Sequence, residues 1–303
     1  NKLKFSFPVN AWSEVADLNT AKGLSFGAAG SGIHDALAFG GATAGLSPVV
    51  CTRTTELWNG TSWSEVADLQ DDMLRTGGTG CSSNAAIMTG AASSNPIALF
   101  QSKNANTWDG MVWTEVSDHI TSRGCTSMSG TANAGLLAPG VVYGGSGSPT
   151  TEEWNGTNWT TSTNASLSYG QYNAQLIGTQ NDTIQGADPG PFGRASHYDG
   201  TSWATINNYS DYCSRAGFGT ANAAIYAGGC SPSPSGAEIT ISEEYNGVAW
   251  SQASQLGQGR AYGFRAGTQG SGMLSGGSKG HPGITVYANT EMYYTHYIKT
   301  GCE

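Results

Sequence analysis

One short pattern recurs along this chain and limits what it can fold into. The stretch ELWNGTSWSEVADL (residues 56–69) returns as NTWDGMVWTEVSDH, EEWNGTNWTTSTNA, SHYDGTSWATINNY and EEYNGVAWSQASQL. Each copy has an aromatic residue, then Asn-Gly or Asp-Gly, then a Trp. Counting the solitary copy at the start of the sequence, the second aromatic falls at Trp12, Trp63, Trp113, Trp159, Trp203 and Trp250. The intervals are 51, 50, 46, 44 and 47 residues. A period of this size corresponds to one four-stranded unit of a radially repeated β architecture.

The remainder of each period supports that reading. A basic residue (Lys22, Arg75, Arg123, Arg215, Arg260) opens a run of small residues such as RAGFGT. A tight turn follows, then an apolar segment ending in Gly-Gly, as in ALAFGG, VVYGG and AIYAGG. A variable connection leads back to the aromatic, the Asn/Asp-Gly turn and the Trp. We name these strands a, b, c and d. Forty-four glycines and 12% charged residues in 303 suit short strands and tight turns rather than helices. The fold class expected is all-β: a single six-bladed β-propeller over residues 1–303. Its blades cover about 21–67, 74–117, 122–163, 168–206, 214–254 and 259–298, the last completed by 9–16.

Closure follows from the two ends. The sequence opens on VNAWSEVADL, a strand d with no c before it, and closes on ANTEMYYTHYI, a strand c with no d after it. Together they complete the sixth blade and remove an exposed sheet edge. A pairing of Glu291 with Trp12 carries TEMYYTHYI on past the blade opposite KLKFSF, as a projecting hairpin.

Asn-Gly and Asp-Gly accept the positive φ that a two-residue type I′ hairpin requires at both central positions. Such a turn pairs Trp58 with Thr61 and Glu56 with Trp63. Alternation then sets Glu56, Trp58, Thr61 and Trp63 on one face, and Leu57 and Val66 on the other. Apolar groups on both faces mark a sheet packed between two neighbours. Trp12, Trp63, Trp113, Trp159, Trp203 and Trp250 are therefore read as inter-blade packing, the alternative being exposed platforms for sugar stacking.

The charges supply a second pattern. Two residues before each strand-c aromatic stand Glu56, Asn106, Glu152, Ser196, Glu243 and Glu291. The matching strand-a starts are Lys22, Arg75, Arg123, Tyr169, Arg215 and Arg260. Acid and base occur together in four blades, blade four has neither, and blade two is mismatched. An intra-blade ion pair is expected, since an unpartnered buried charge costs more than no charge at all. The competing reading is a functional ring of carboxylates around the channel.

These residues resemble kelch-like repeats, with Gly-Gly closing strand b and a Trp about five residues beyond the strand-c aromatic. The form TE-x-WNGTSW-(S/T)EV-x-DL resembles, more narrowly, repeats in structural and tail proteins of marine bacteriophages of the cyanophage type. The resemblance runs from about residue 9 to 298. It implies a non-catalytic structural or host-recognition component of a particle, located in the virion or outside the cell. The implied partners are other virion proteins or a host-surface glycan or protein, and oligomers are compatible with it. A secreted or surface bacterial adhesin is the alternative. Blade four departs from the pattern, because IQGADPGPFG lacks Gly-Gly, and blade two reads MTGAA.

Other classes find little support. A net charge of −9 with scattered basic residues speaks against nucleic acid. No apolar run approaches the ~18–20 residues of a membrane span. There is neither a signal-peptide pattern nor an initiating Met, as in a trimmed or partial chain. His34, His119, His197, His281 and His296 fall on different blades, no Gly-x-Ser-x-Gly elbow occurs, and no Cys/His spacing suggests a metal. No cofactor and no enzymatic activity are expected. The turn also resembles the Asp box of sialidases, but no carboxylate pair at the ~5 Å separation of retaining glycosidases recommends itself.

Six cysteines allow fifteen pairings. The segment CSRAGFGTANAAIYAGGC is symmetric about its turn and places Cys213 opposite Cys230 on adjacent strands, where a disulfide is expected. Elimination leaves Cys51 with Cys125 and Cys81 with Cys302, six reduced thiols being the alternative. Binding is expected on the face carrying the b–c and d–a loops, where variable loops sit on a rigid ring. The residues singled out for contact are His281, Tyr287, Phe192, Tyr294 and Tyr297.

Overall fold

The computed structural model describes residues 4–25, 27–44, 49–92, 101–138, 140–142, 147–171, 174–186, 193–231, 237–279 and 285–301, with backbone alone at 4–9, 91–92, 163–171 and 295–301. Six antiparallel sheets form the six blades of a β-propeller. In order a to d, blade 1 is Ala28–Gly32, Asp35–Phe39, Thr55–Trp58 and Trp63–Glu65; blade 2 is Met73–Ser82, Ala85–Ala92, Ala105–Trp108 and Trp113–Val116. Blade 3 is Met128–Thr131, Ala134–Leu137, Gly147–Trp154 and Trp159–Gln171; blade 4 is Gln175–Gly178, Thr183–Gly186, Ala195–Tyr198 and Trp203–Ile206. Blade 5 is Ala216–Thr220, Ala223–Ala227, Ser242–Tyr245 and Trp250–Gln252. Blade 6 takes Phe264–Thr268, Ser271–Ser275 and Thr290–Gly301 from one end of the chain and Lys4–Val15 from the other.

The closing pair is in register from Val15 opposite Thr290 to Lys4 opposite Gly301. Trp12 faces Tyr293, and Glu291 faces Glu14. The expected pairing of Glu291 with Trp12 is thus two residues out. Strand b of the blade ends its pairing at Ser271 with Tyr294. The pairs from Asn10–Thr295 to Lys4–Gly301 therefore run on past the blade as a two-stranded ribbon, as the sequence suggested.

The same two-residue error runs through every c–d hairpin. Trp58 pairs with Trp63, not Thr61, and Glu56 pairs with Glu65. Four residues separate the strands, and only the glycine takes positive φ, +95° at Gly60. The Asn instead uses its side chain: Asn59 Oδ1 accepts from the N–H groups of Thr61 (2.9 Å) and Ser62 (3.0 Å). Asp109, Asn155, Asp199 and Asn246 do the same. An Asx turn thus replaces the expected type I′ turn. The side-chain faces survive the error because a shift of two restores the alternation.

The pairing puts two aromatic rings side by side at the end of each blade. Ring centroids lie 5.5 Å apart for Trp58–Trp63 and Trp108–Trp113, and 5.3 Å for Trp154–Trp159. The values for Tyr198–Trp203, Tyr245–Trp250 and Trp12–Tyr293 are 5.2, 4.9 and 5.0 Å. Trp58 and Trp63 pack with Phe264, Met273 and Met292 of blade 6, while Leu57 and Val66 pack toward Trp108 and Trp113 of blade 2. Apolar clusters likewise fill the other four blade interfaces, so the Trp residues are inter-blade packing.

Each strand-d Trp also reaches the preceding blade with its indole N–H. Trp63, Trp113, Trp203 and Trp12 donate to hydroxyls of Thr290, Thr55, Thr151 and Ser242, at 2.8–3.1 Å. All four acceptors immediately precede a glutamate position. Blades 2 and 4 have Ala105 and Ala195 there, and the next Trp turns to a backbone carbonyl instead: Trp159 to Ser117 and Trp250 to Asn207. No indole N–H of the ring is left unpaired, which a buried donor would pay for in stability.

Gly-Gly is an inter-blade latch. Gly40–Gly41, Gly228–Gly229 and Gly276–Gly277 all take positive φ, from +59° to +107°. The second glycine N–H of each donates to the next blade: Gly41 to Met73 O, Gly229 to Arg260 O and Gly277 to Lys22 O, at 2.7–3.0 Å. A Cβ on Gly41 would stand 2.6 Å from Gly23 O, so only glycine fits. In blade 3 strand b is AGLL, and Val141 exchanges backbone bonds with Gly124 as Ala42 does with Gly23, which puts Gly140 at the position of Gly41. VVYGG begins at Val141, beyond the end of that strand, and its Gly-Gly lies outside the described residues. Tyr169 is corrected too. It lies within Trp159–Gln171, the last strand of blade 3, and does not open blade 4.

Candidate binding faces

Buried charges within each blade are consumed by the architecture. Lys22 Nζ lies 3.3 Å from Glu56, and Arg123–Glu152, Arg215–Glu243 and Arg260–Glu291 are direct hydrogen-bonded ion pairs. Each base also donates to the backbone carbonyl two residues before its glutamate: Thr54, Thr150, Ile241 and Asn289. Each glutamate in turn accepts backbone N–H groups from the d–a linker entering the blade, at Asn19 and Thr20, Ile120 and Thr121, Ser210, and Gly257. The carboxylates hold linkers and do not face a ligand, which removes the alternative of a functional carboxylate ring.

Blade two proves to be no exception. The latch bonds show that Met73, not Arg75, occupies the position of Lys22 and Arg260. Arg75 sits two residues further on, at φ +53°, level with Leu24, Cys125 and Tyr262. Met73 and Asn106 thus leave this blade with neither acid nor base at the paired positions. Burial pulls the Lys22, Arg123 and Arg260 cations below their ordinary range against the opposing pull of their glutamates. For Glu152, burial raises the carboxyl, but Arg123 and the N–H groups of Ile120 and Thr121 outweigh it and hold it below the usual carboxylate range.

The linkers share a buried residue: Leu18, Leu69, His119, Tyr209 and Leu256 donate their N–H groups to equivalent carbonyls. His119 is therefore an imidazole in a leucine slot. Its ring packs edge-on against Trp159, and neither nitrogen meets a partner in hydrogen-bond geometry. Burial is the main cause that lowers its pKa to about 4.

Of the five residues singled out for binding, the three described ones, Tyr287, Tyr294 and Tyr297, are not brought together. His281 and Phe192 lie outside the described residues. Tyr287 is on the b–c side, half-buried, its backbone bonded to Lys22 and Gly277. Tyr294 is at the opposite end of blade 6, half-buried against the core, and Tyr297 pairs with Pro8 in the projecting ribbon. On the loop face, the connections of blades 1 and 6 fold into small ribbons, Ala42–Ala44 with Val50–Cys51 and Ser278–Lys279 with Thr285–Val286. In blade 5 the connection is held by the Cys213–Cys230 disulfide, with Cα atoms 5.2 Å apart. The Cys51–Cys125 bridge does not form, and Cys125 Sγ instead faces Arg75 Nη1 at 3.2 Å. The Cys81–Cys302 pairing involves a residue outside the described set.

The opposite face carries a feature that sequence reading passed over. Gly30, Gly80, Gly130, Gly178, Gly219 and Gly267 form a ring around the axis, one per blade near the end of strand a. A Cβ at any of them would collide with a carbonyl oxygen at the entry to strand b. The residue after each is Ser31, Cys81, Thr131, Thr179, Thr220 or Thr268. Aligning the six strand-a segments on Gly-(Ser/Thr/Cys) would have shown it. Inside the ring lies an axial cavity of about 280 Å³, lined by strand-a residues of all six blades.

Among the described residues, no group of three or more His, Cys, Asp or Glu is placed to hold a metal ion, and no helix is long and apolar enough to cross a membrane. No protein-family model matches the chain, and no curated protein matches it in sequence.

Proposed function

We propose that this propeller is a non-catalytic recognition module of kelch-like type, a structural or host-recognition component of a phage particle that works through its b–c and d–a loops. The observation that carries the recognition role is where the blades differ. The a–b and c–d ends repeat one design around the ring. The b–c connections range from 15 residues in blade 1 (between Phe39 and Thr55) to 8 in blade 4 (between Gly186 and Ala195). Length variation confined to one face of a rigid ring is the pattern of a binding surface. The buried acids and bases are occupied in tying strand a to the linkers, which supports a scaffold rather than a catalyst. The particle assignment rests on the resemblance of the TE-x-WNGTSW repeats.

The test is a glycan array with the intact chain and with a variant whose blade 1 connection (residues 43–50) is replaced by Gly-Ser-Gly. Binding to a host-surface glycan lost in the variant, at unchanged melting temperature, supports the reading. Binding that survives replacement of this and of the blade 6 connection contradicts it. A secreted or surface bacterial adhesin is the second reading, favoured by the Cys213–Cys230 disulfide, which suits an oxidising environment. Mass spectrometry of purified particles separates the two.

A further inference from the structure

The axial cavity has the make-up of a ligand site. Its floor is the Arg265 side chain, buried from blade 6. Nε donates to Gly217 O in blade 5 (2.7 Å), and Nη2 crosses the axis to Ser127 Oγ in blade 3 (3.2 Å). These two contacts fix the plane of the guanidinium at the bottom of the cup. Among the described residues that line the cavity, Arg265 is the only charged one. The walls mix polar and apolar surface: strand-a backbone, eight glycines among it, alternates with Met128, Leu176, Ile177 and Phe218. The rim is polar and exposed, at Ser31, Cys81 and Thr268.

A cup of this make-up selects its occupant. One buried guanidinium, with no second cation among the described lining residues, favours a single negative charge, because a dianion would carry uncompensated charge into the cup. A planar fork suits a planar carboxylate. About 280 Å³ lies at the lower edge of small-ligand sites and holds one sugar-sized ring, not a chain. We propose that the cup binds a small hydroxylated monocarboxylate, hexuronate in size, with its carboxylate toward Arg265 and its hydroxyls at the rim formed by Ser31 and Thr268. This site faces away from the loops invoked above, so either can fail without the other.

The test uses the full chain with glucuronate, glucose and inorganic phosphate. Binding is read by calorimetry and by the rate at which N-ethylmaleimide labels Cys81, the exposed thiol on the rim, followed by peptide mass spectrometry. Glucuronate should bind and slow Cys81 labelling at least about fivefold, with glucose weaker by about tenfold or more for want of the charge. Arg265→Gln should abolish the preference for glucuronate over glucose. Because that side chain also joins blades, Ser31→Tyr provides a second variant that fills the mouth from an exposed position, and it should fold normally and lose binding. No heat and unchanged labelling with glucuronate would overturn the proposal. So would equal protection by glucose, tighter binding of phosphate, or full binding by folded Ser31→Tyr.

Discussion

His119 shows how one residue can set a pH limit for the whole ring. In the unfolded chain its imidazole titrates near 6.5, and in the fold near 4. The neutral ring stabilises the fold above pH 6.5, and that stability is lost as pH falls toward 4, since the unfolded chain takes up the proton first. The linkage amounts to about 2 kcal/mol at pH 5. His119→Leu, which restores the residue found at Leu18, Leu69 and Leu256, should leave the melting temperature at pH 8 close to that of the parent and raise it at pH 5. An equal change at both pH values would show that the imidazole does not titrate in this way. Glu152 acts in the same direction lower down: its depressed carboxyl stabilises above the unfolded value near 4.3, and that contribution disappears as pH falls through the folded pKa.

The blade is the unit at which the charges make sense. Arg260 and Glu291 are both buried, and removing one leaves the other uncompensated, at a cost of about 3–5 kcal/mol. Blade 2 carries Met73 and Asn106 in the same places and still folds. Glu291→Asn and Arg260→Met should therefore each destabilise strongly, while the double variant costs less than their sum by about 2 kcal/mol or more in chemical denaturation. Additive costs would show that the pair is not coupled. The Cys213–Cys230 bridge stabilises at the same scale. It closes a separation of 17 residues, and its reduction should lower stability by about 3 kcal/mol, read as a lower denaturation midpoint in reductant. A midpoint unmoved by reductant would contradict that role.

Much of the blade was legible from residue types alone. Strand order, the faces of the Trp residues, the intra-blade ion pairs and the Cys213–Cys230 bridge follow from alternation and from charges that occur together. Hairpin register was not legible, because Asn-Gly permits both a two-residue turn and a four-residue Asx turn, and the two differ by a shift that leaves every face unchanged. Arg75 misled for a related reason. It is a basic residue near the start of strand a, and only the latch bond from Gly41 to Met73 reveals the offset.

At the scale of the molecule, six interfaces repeat one set of contacts: an aromatic pair, a Trp N–H reaching into the preceding blade and, where Gly-Gly is present, a latch into the next. The candidate sites were less legible than the ring. The described binding residues expected from exposed aromatics, Tyr287, Tyr294 and Tyr297, are spread over both faces, while the cup is built from glycines, small hydroxyl residues and one arginine whose meaning depends on all six blades meeting. No single repeat contains that information.

Ring closure is the claim on which these placements depend, and cross-linking tests it directly. Ala11 and Tyr294 are opposite each other in the final strand pair, at a spacing a disulfide can bridge. In the Ala11→Cys, Tyr294→Cys chain, mild oxidation should give a monomer in which peptide mapping finds residues 11 and 294 joined, with the Cys213–Cys230 bridge retained. A chain that forms only intermolecular bonds through these positions, or none, would contradict a ring closed by its two ends.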